Sequence, residues 1–195
     1  SLGDATAQLV GENASDLAGW DVSSAGDVNG DGHGDILVSA PAHTEVVGYD
    51  EAGATYLVFG PVEGTVELSD ANARLVGDEL LEWSGMSTTG AGDQDGDGLD
   101  DVVVGSIYRS PGETYIAGAA TLFTGISEGT LFLQDATRTY AGALEYDVAG
   151  WDVDSGVDLD GDGFSDLLVG ASGADRDDDA DVGSVHLFYG PLVSP

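Results

Sequence analysis

The sequence contains no cysteine, and its basic residues are four arginines without a single lysine. No disulfide therefore stabilises the fold, and neither thiol chemistry nor lysine Schiff-base chemistry is open to the chain. The 195 residues carry a formal net charge of −33 at pH 7, which repels nucleic acid and anionic membranes. No apolar run reaches the length of a membrane span. We therefore expect neither nucleic-acid binding nor membrane insertion.

Helical periodicity is also missing, because no stretch of useful length repeats its apolar residues every three to four positions. Glycine is abundant instead, with 31 residues, and 42% of the chain is hydrophobic. This composition is typical of a turn-rich globular β protein and not of a disordered chain. We predict an all-β fold.

A nine-residue pattern of acidic, amide and glycine residues occurs three times. Its acidic and amide positions are Asp27, Asn29, Asp31 and Asp35, then Asp93, Asp95, Asp97 and Asp101, and finally Asp158, Asp160, Asp162 and Asp166. Side-chain oxygens on alternate residues of a tight glycine turn converge on one point, and oxygen ligands suit a hard cation, above all Ca²⁺. A single copy would fit a metal-free Asp/Gly hairpin equally well. Three copies in register favour three Ca²⁺ sites, of which the first is expected to bind weakest because it carries an asparagine.

The twelfth position of each pattern excludes an EF-hand. That loop needs a bidentate glutamate at position 12 and helices on both sides. The corresponding residues are Val38, Val104 and Val169, each within a short apolar run.

Anchor glycines show that the chain is a repeat protein. Gly19, Gly85 and Gly150 lie 66 and 65 residues apart, and another series has a spacing of 65, at Gly53, Gly118 and Gly183. The chain is thus one domain of three units of about 65 residues, at about 2–67, 68–132 and 133–195.

Each unit reads as four strands. The first follows the anchor glycine (20–24 in the first unit), and the acidic turn leads into a buried second strand at 36–38, 102–104 and 167–169. A third strand is predicted at 54–59, 119–124 and 184–189. The fourth, at 68–77, matches residues 2–11. The strand phase is therefore permuted: the chain opens with a spare fourth strand and stops after the last third strand.

These features together resemble the FG-GAP repeats of integrin α-subunit β-propellers, over nearly the whole chain. The matching elements are the anchor glycine, the acidic turn, the strand ending near Ala40-Pro41 and the Gly-x-x-x-Leu-Phe strand. The Phe-Gly of the family stands here as Ala18-Gly19, Ser84-Gly85 and Ala149-Gly150. The resemblance implies four-stranded antiparallel propeller blades. It also implies that each turn binds Ca²⁺ through the side chains named above and through one backbone carbonyl, that of His33, Leu99 or Phe164.

Three blades are too few to close a propeller, since closed rings usually need four to eight. We expect two chains to form a six-bladed ring, in which the N-terminal strand of each chain completes the last blade of the other. A fragment of a longer propeller, or an open arc, is the alternative.

The resemblance implies a calcium-binding module of extracellular or cell-surface proteins, or of the periplasm, that binds a protein or glycan through loops opposite the metal turns. Those loops are 12–18, 42–52, 78–84, 108–117, 143–149 and the acidic 175–181. The alternatives are a purely structural module and a propeller-type polysaccharide lyase or hydrolase. We predict no enzyme activity, because the sequence displays no catalytic cluster of His, Tyr or Lys. The three tryptophans, Trp20, Trp83 and Trp151, are expected in the core.

Overall fold

The computed structural model describes residues 1–46, 48, 50–110, 112, 114–175, 179 and 181–193, so parts of three predicted binding loops lie outside the described residues. The regular structure is almost entirely β, as the composition predicts, and the described helices are three 3₁₀ turns, at Leu2–Asp4, Leu68–Asp70 and Leu133–Asp135. No described helix is long and apolar enough to span a membrane. The strands are β1 Ala7–Val10, β2 Val22–Gly26, β3 Asp35–Ala40, β4 Ala54–Val58, β5 Gly64–Glu67, β6 Ala73–Val76, β7 Ser84–Gly92, β8 Asp101–Ser106, β9 Ala119–Phe123, β10 Gly129–Phe132, β11 Arg138–Ala141, β12 Ala149–Val157, β13 Asp166–Ala171 and β14 Ser184–Phe188.

An antiparallel three-stranded unit repeats along the chain, as β2–β3–β4, β7–β8–β9 and β12–β13–β14. The central strand of each unit is largely buried, which explains its continuous aliphatic run, because such a strand has no polar face. The acidic turn joins the first and second strands of each unit. The predicted second strands lie inside β3, β8 and β13, and the predicted third strands end within one residue of β4, β9 and β14.

The outer strands correct the prediction of four strands for the first sheet, whereas the three strands described in the third sheet agree with the predicted permuted phase. β6 and β11 pair antiparallel with β4 and β9, as predicted. β5 and β10 are additional: β10 pairs parallel with β6 and adds a fifth strand to the first sheet, and β1 and β5 form a separate parallel pair. Only the second sheet has four strands, and the third sheet has three in the part of the chain that the structure describes.

The N-terminal strand lies far from the sheet that lacks an outer strand. β1 pairs with β5, beside the first sheet, and its pairing has the same parallel sense as that of β6 with β10. β1 therefore takes the position of the outer strand of a further sheet. That sheet would lie beside the first sheet, before it in the order of the sheets. β1 does not complete the last sheet of its own chain.

The sheets pack face to face through apolar layers, as expected of a β-propeller-like fold. The layer between the first and second sheets includes Leu37, Leu57, Leu75, Val102 and Phe123. The layer between the second and third includes Val103, Leu122, Val153, Leu167 and Val169. A third layer covers the outer face of the first sheet with Leu9 and Val66 of β1 and β5. This packing places the three acidic hairpins along one side of the domain.

The prediction that the tryptophans lie in the core is wrong. Trp20 and Trp151 are 50% and 47% exposed. Trp20 lies in a turn before β2 and belongs to none of the three apolar layers. Trp83 is partly exposed and lines a cleft on the side of the domain opposite the hairpins.

Candidate metal centres

The first aspartate of each hairpin fixes the turn through three backbone N–H groups. Asp27 Oδ1 accepts hydrogen bonds from Gly30 (2.8 Å) and Asp31 (3.1 Å), and its Oδ2 accepts one from Gly32 (2.9 Å). Asp93 and Asp158 accept the same three bonds at 2.6–3.2 Å. These bonds hold the pKa of Asp158 below its ordinary value, the bond from the Gly163 N–H contributing most. The turn thus favours an ionised carboxylate at this position.

The backbone angle requires glycine in these turns, and at Gly30 a Cβ would in addition lie 2.9 Å from Leu99 Cδ2. Gly30 and Gly32 have φ values of +74° and +85°, and their counterparts in the other hairpins lie between +80° and +98°. Residues with a Cβ rarely adopt this region. No atom lies within 4 Å of a Cβ built at Gly32, so the open space above the turn stays free for a ligand.

Two of the hairpins bring carboxylates together. Asp93, Asp95 and Asp101 each offer one oxygen, and the three oxygens lie within 4.8 Å of one another. Asp158, Asp160 and Asp162 form the corresponding group in the third hairpin. Like charges about 5 Å apart repel by roughly 3 kcal/mol per pair at an effective dielectric constant near 20. A divalent cation would remove that repulsion.

Each of these two hairpins has one predicted side-chain ligand that lies outside its group. Asp97 Oδ1 accepts a hydrogen bond from the backbone N–H of Leu99 (2.8 Å). Asp166 is bound at both oxygens, by the N–H groups of Leu159 (2.7 Å) and Gly190 (3.0 Å). Asp166 therefore ties the base of the hairpin to the end of β14, and coordination by it stays a prediction.

Asp101 differs from its counterparts in a way that fits a bound cation. It is fully buried, and its Oδ1 has no hydrogen-bond partner, whereas the equivalent oxygen of Asp35 accepts a bond from Gly60 (2.9 Å). Burial raises the pKa of Asp101 to about 7. A buried carboxylate oxygen without a partner carries a desolvation penalty. A hard cation held with Asp93 and Asp95 would satisfy it.

The first hairpin replaces one carboxylate by an amide. Asn29 Nδ2 donates to Asp31 Oδ2 (3.1 Å), and Asn29 Oδ1 accepts from the Asp31 N–H (2.9 Å). The N–H of His33 donates to Asp31 Oδ1 (2.8 Å), and this bond is the main cause that lowers the pKa of Asp31. The amide thus relieves repulsion within this turn without a metal.

Neighbouring hairpins are bonded to each other. The backbone N–H of Asp27 donates to Asp100 Oδ2 (2.7 Å), and the N–H of Asp100 donates to the carbonyl of Asp27 (3.1 Å). In the next pair, Gln94 Nε2 donates to the carbonyl of Ser165 (2.8 Å). A cation that orders one hairpin would therefore also stabilise the contact between adjacent sheets.

The histidines do not form a catalytic cluster. His43 is 1% exposed, with Nδ1 2.7 Å from Asp16 Oδ2 and Nε2 3.2 Å from Glu45 Oε2. His186 lines a small cavity of about 180 Å³ together with Tyr140. The Tyr140 hydroxyl, however, donates to the carbonyl of Leu192 (3.2 Å), and burial raises its pKa. A tyrosine held in this way is not prepared to act as a base.

A second feature, which the motifs do not indicate, lies on the loop side. A cleft of about 530 Å³ opens between the first and second sheets, and Trp83 and Tyr108 line it. The sequence signal is an aromatic residue at position 83, where the other repeats have Leu17 and Val148, and another at position 108, where they have Ala42 and Gly173.

The comparisons with known proteins agree with the hairpin geometry. The family model described as FG-GAP repeat matches residues 18–58 and 149–188, which contain β2–β4 and β12–β14. Integrin alpha-IIb is 33% identical over 177 residues in Mus musculus and 32% identical over 176 residues in Homo sapiens, each alignment covering 87% of this chain. Integrin alpha-PS5 of Drosophila melanogaster is 31% identical over 165 residues, or 85% of this chain. The chain spans only 16% of the length of these curated relatives. It is an FG-GAP-repeat, integrin-α-like domain.

Proposed function

We propose that this domain is a calcium-stabilised β-propeller module that serves adhesion-type binding at the cell surface or outside the cell, and that it catalyses no reaction. The observation that carries the proposal is the shared geometry of the three hairpins within a fold related to integrin α-subunits. The homology to integrin α-subunits, which are non-enzymatic adhesion proteins of the cell surface, supports the location and the absence of catalysis.

In this proposal each hairpin holds one Ca²⁺ through its own oxygens. The groups that would bind it are the side chains at pattern positions 1, 3, 5 and 9 and the carbonyl of His33, Leu99 or Phe164. Ca²⁺ suits these turns better than Mg²⁺, because flexible loops rich in oxygen ligands favour six- to eight-fold coordination. The bound ion supplies charge neutralisation and rigidity, so its role is structural.

Thermal unfolding with and without Ca²⁺ tests the metal proposal. Free Ca²⁺ at 100 times its Kd should add about 2.7 kcal/mol per site to the free energy of unfolding. Mg²⁺ at the same concentration is the matched control and should stabilise less. An unfolding midpoint that does not change on chelation would overturn the proposal.

We further propose that two chains close a six-bladed ring. The anchor glycines carry this step. A Cβ at Gly150 would lie 2.2 Å from the carbonyl of Ala119 in the preceding sheet, and one at Gly85 would lie 2.9 Å from that of Ala54, whereas nothing lies within 4 Å at Gly19. The first sheet thus presents an anchor glycine adapted to a close neighbour that its own chain does not supply.

The opposite end of the chain presents the complementary gap. Gly53 and Gly118 form parallel bridges with Ser84 and Ala149 of the next sheet. Gly183 is the counterpart of these two glycines in the third sheet. A Cβ at Gly183 would meet no described atom closer than 3.4 Å, apart from its neighbours along the chain. In the third sheet, Val185 and Leu187 are 71% and 40% exposed. A second copy would cover these side chains with its first sheet and would extend β14 with its β1.

A further inference from the structure

We propose that the cleft between the first and second sheets binds a small alkylammonium cation of the choline type. The cleft, called the aromatic cleft here, is lined by Glu51, Glu79, Leu80, Trp83, Tyr108 and Tyr115. The cation site depends on the proposed function in one respect only, which is that the loop side of the domain is a binding face.

Aromatic rings form the walls of the aromatic cleft. The rings of Trp83 and Tyr108 have centroids 5.8 Å apart and planes inclined at 60°. The ring of Tyr115 is braced edge-on by Tyr146, at a centroid distance of 5.8 Å. Tyr108 and Tyr115 are 38% and 56% exposed, so a ligand can reach both side chains from solvent. A cation within about 6 Å of such rings is attracted by their negative faces.

The ionisable groups of the aromatic cleft are acidic. Glu51 Oε2 accepts a hydrogen bond from Trp83 Nε1 (3.1 Å), which fixes the indole edge. Glu79 Oε2 accepts one from the backbone N–H of Ser110 (2.9 Å). The nearby Arg109 pairs with Asp78 and Glu82 and is not among the lining residues. The charge of the cleft therefore excludes anions and favours a cation over a neutral ring.

The volume and the wall chemistry define the class of cation. About 530 Å³ suits a small organic molecule. Leu80 and the aromatic rings would favour a cation whose charge is spread over methyl groups, because such an ion loses little hydration when it enters an apolar site. Metal ions and bare ammonium groups keep their water more strongly and would prefer the oxygen-lined hairpins.

The same position one repeat later lacks the Trp83–Tyr108 pair and both glutamates, although its backbone is alike. Leu81 and Trp83 have positive φ values of 57° and 54°, and their counterparts Tyr146 and Val148 have 67° and 56°. The residues that replace Glu51, Glu79, Trp83 and Tyr108 are Ile116, Leu144, Val148 and Gly173. The repeat keeps the loop backbone and changes its side chains at one cleft, as expected where a rigid scaffold carries a binding site.

Calorimetric titration of the Ca²⁺-loaded chain with choline and with its neutral isostere 3,3-dimethylbutan-1-ol tests the proposal. Choline should bind at least about tenfold more tightly than the isostere, because only the cation gains from the rings and the two carboxylates. Equal binding of the two compounds, or tighter binding of glucose than of choline, would overturn the proposal.

Substitutions locate the site. Tyr108→Leu and Glu79→Gln should each weaken choline binding severalfold, and Trp83→Leu should abolish it. Trp20→Leu removes an exposed tryptophan that does not line the aromatic cleft and should leave binding unchanged. Loss of binding in Trp20→Leu, or retention in both Tyr108→Leu and Glu79→Gln, would place the cation elsewhere. Ca²⁺-dependent unfolding, measured on the same samples, reports on the hairpins independently of choline.

Discussion

Equivalent residues of the three repeats share one buried acid on the loop side but differ in its basic partner. Glu82 accepts hydrogen bonds from the N–H groups of Asp78 (2.9 Å) and Glu79 (3.0 Å), and Asp147 accepts the same pair from its own loop at 2.8 Å. Glu82 pairs with Arg109, whereas the residue equivalent to Arg109 in the third repeat is Ala174. The acid is thus part of the loop fold, whereas its basic partner is His43 in the first repeat and Arg109 in the second and is missing in the third.

Glu82 predicts a decrease in stability with rising pH. Burial raises the pKa of Glu82 to about 7 from an ordinary value of 4.5, although Arg109 acts in the opposite direction. The folded state therefore holds this proton more tightly than the unfolded state. The stabilisation from Glu82 is fully present below pH 4.5 and is lost as the pH rises through about 7. Urea unfolding from about pH 4 to pH 8 should show a smaller loss in Glu82→Gln than in the wild type, because Asp101, whose pKa is also raised to about 7, is present in both.

Glu63→Gln, which removes an exposed carboxylate, is the control for the change of one charge. Parallel stability curves for the wild type and Glu82→Gln across that pH range would contradict the prediction.

The amide of Asn29 should increase the stability of the metal-free chain and decrease the affinity of the first hairpin for Ca²⁺. Asn29→Asp places a carboxylate where the amide now donates to Asp31 at 3.1 Å. In chelator we expect the variant to lose about 1 kcal/mol through repulsion at this exposed site. In Ca²⁺ it should gain more than the wild type does, because the first hairpin then has a full set of carboxylates. Unfolding with chelator and with saturating Ca²⁺ measures both changes.

Asn13→Asp is the control. Like Asn29, Asn13 donates a hydrogen bond from Nδ2 to an aspartate, Asp16 (3.2 Å), but this pair lies outside the hairpins. The control should destabilise the chain equally with and without Ca²⁺. A Ca²⁺ response of Asn29→Asp no larger than that of the wild type would contradict the role assigned to position 29.

At the scale of strands, the sequence predicts those elements whose pattern is local. The aliphatic runs of β3, β8 and β13 and the Asp/Gly turns before them carry their own signal in residue type and order. β5 and β10 do not, because short exposed segments such as Gly64–Glu67 become strands only by pairing with β1 or β6. Their shared Gly-Thr start, at Gly64-Thr65 and Gly129-Thr130, is the one signal that could have revealed them.

The site shows the same division. The nine-residue pattern identifies the hairpins, because their oxygens come from one short segment. The aromatic cleft could not be found in this way, because Trp83 and Tyr108 come from different loops and meet only where β7 and β8 pair in the second sheet.

Two glycines with similar backbone angles should differ in the loss of stability that replacement by alanine causes, because only one of them lies in close contact with a neighbouring strand. Gly150 has a φ of +79°, and a Cβ there would lie 2.2 Å from the carbonyl of Ala119. Gly125 has a φ of +60° and no atom within 4 Å. Gly125→Ala should cost about 1–2 kcal/mol from backbone strain alone. Gly150→Ala should cost clearly more, because two sheets must also separate; similar losses for both variants in chemical unfolding would refute this.

At the scale of the whole molecule, the net charge of each chain opposes the proposed association of two chains. Each chain carries a net charge of −33, and three Ca²⁺ ions would offset only part of it. The first and third sheets nevertheless both expose apolar side chains, with Val22 63% exposed on the first sheet and Val185 71% exposed on the third. Salt and Ca²⁺ should therefore strengthen association, because they screen repulsion between chains without weakening apolar contact.

Ring closure predicts a dimer whose stability depends on Gly19. By analogy with Gly85 and Gly150, a side chain at position 19 would meet the carbonyl of Ser184 in the second copy. Gly19→Ala should thus convert the dimer to a monomer in sedimentation experiments at high salt and saturating Ca²⁺. Gly64→Ala, which changes a glycine with φ +70° and open space around it, should leave the dimer intact. A wild-type chain that sediments as a monomer at all concentrations would rule out the ring and would favour flanking repeats of a longer protein as the neighbours of the two open sheets.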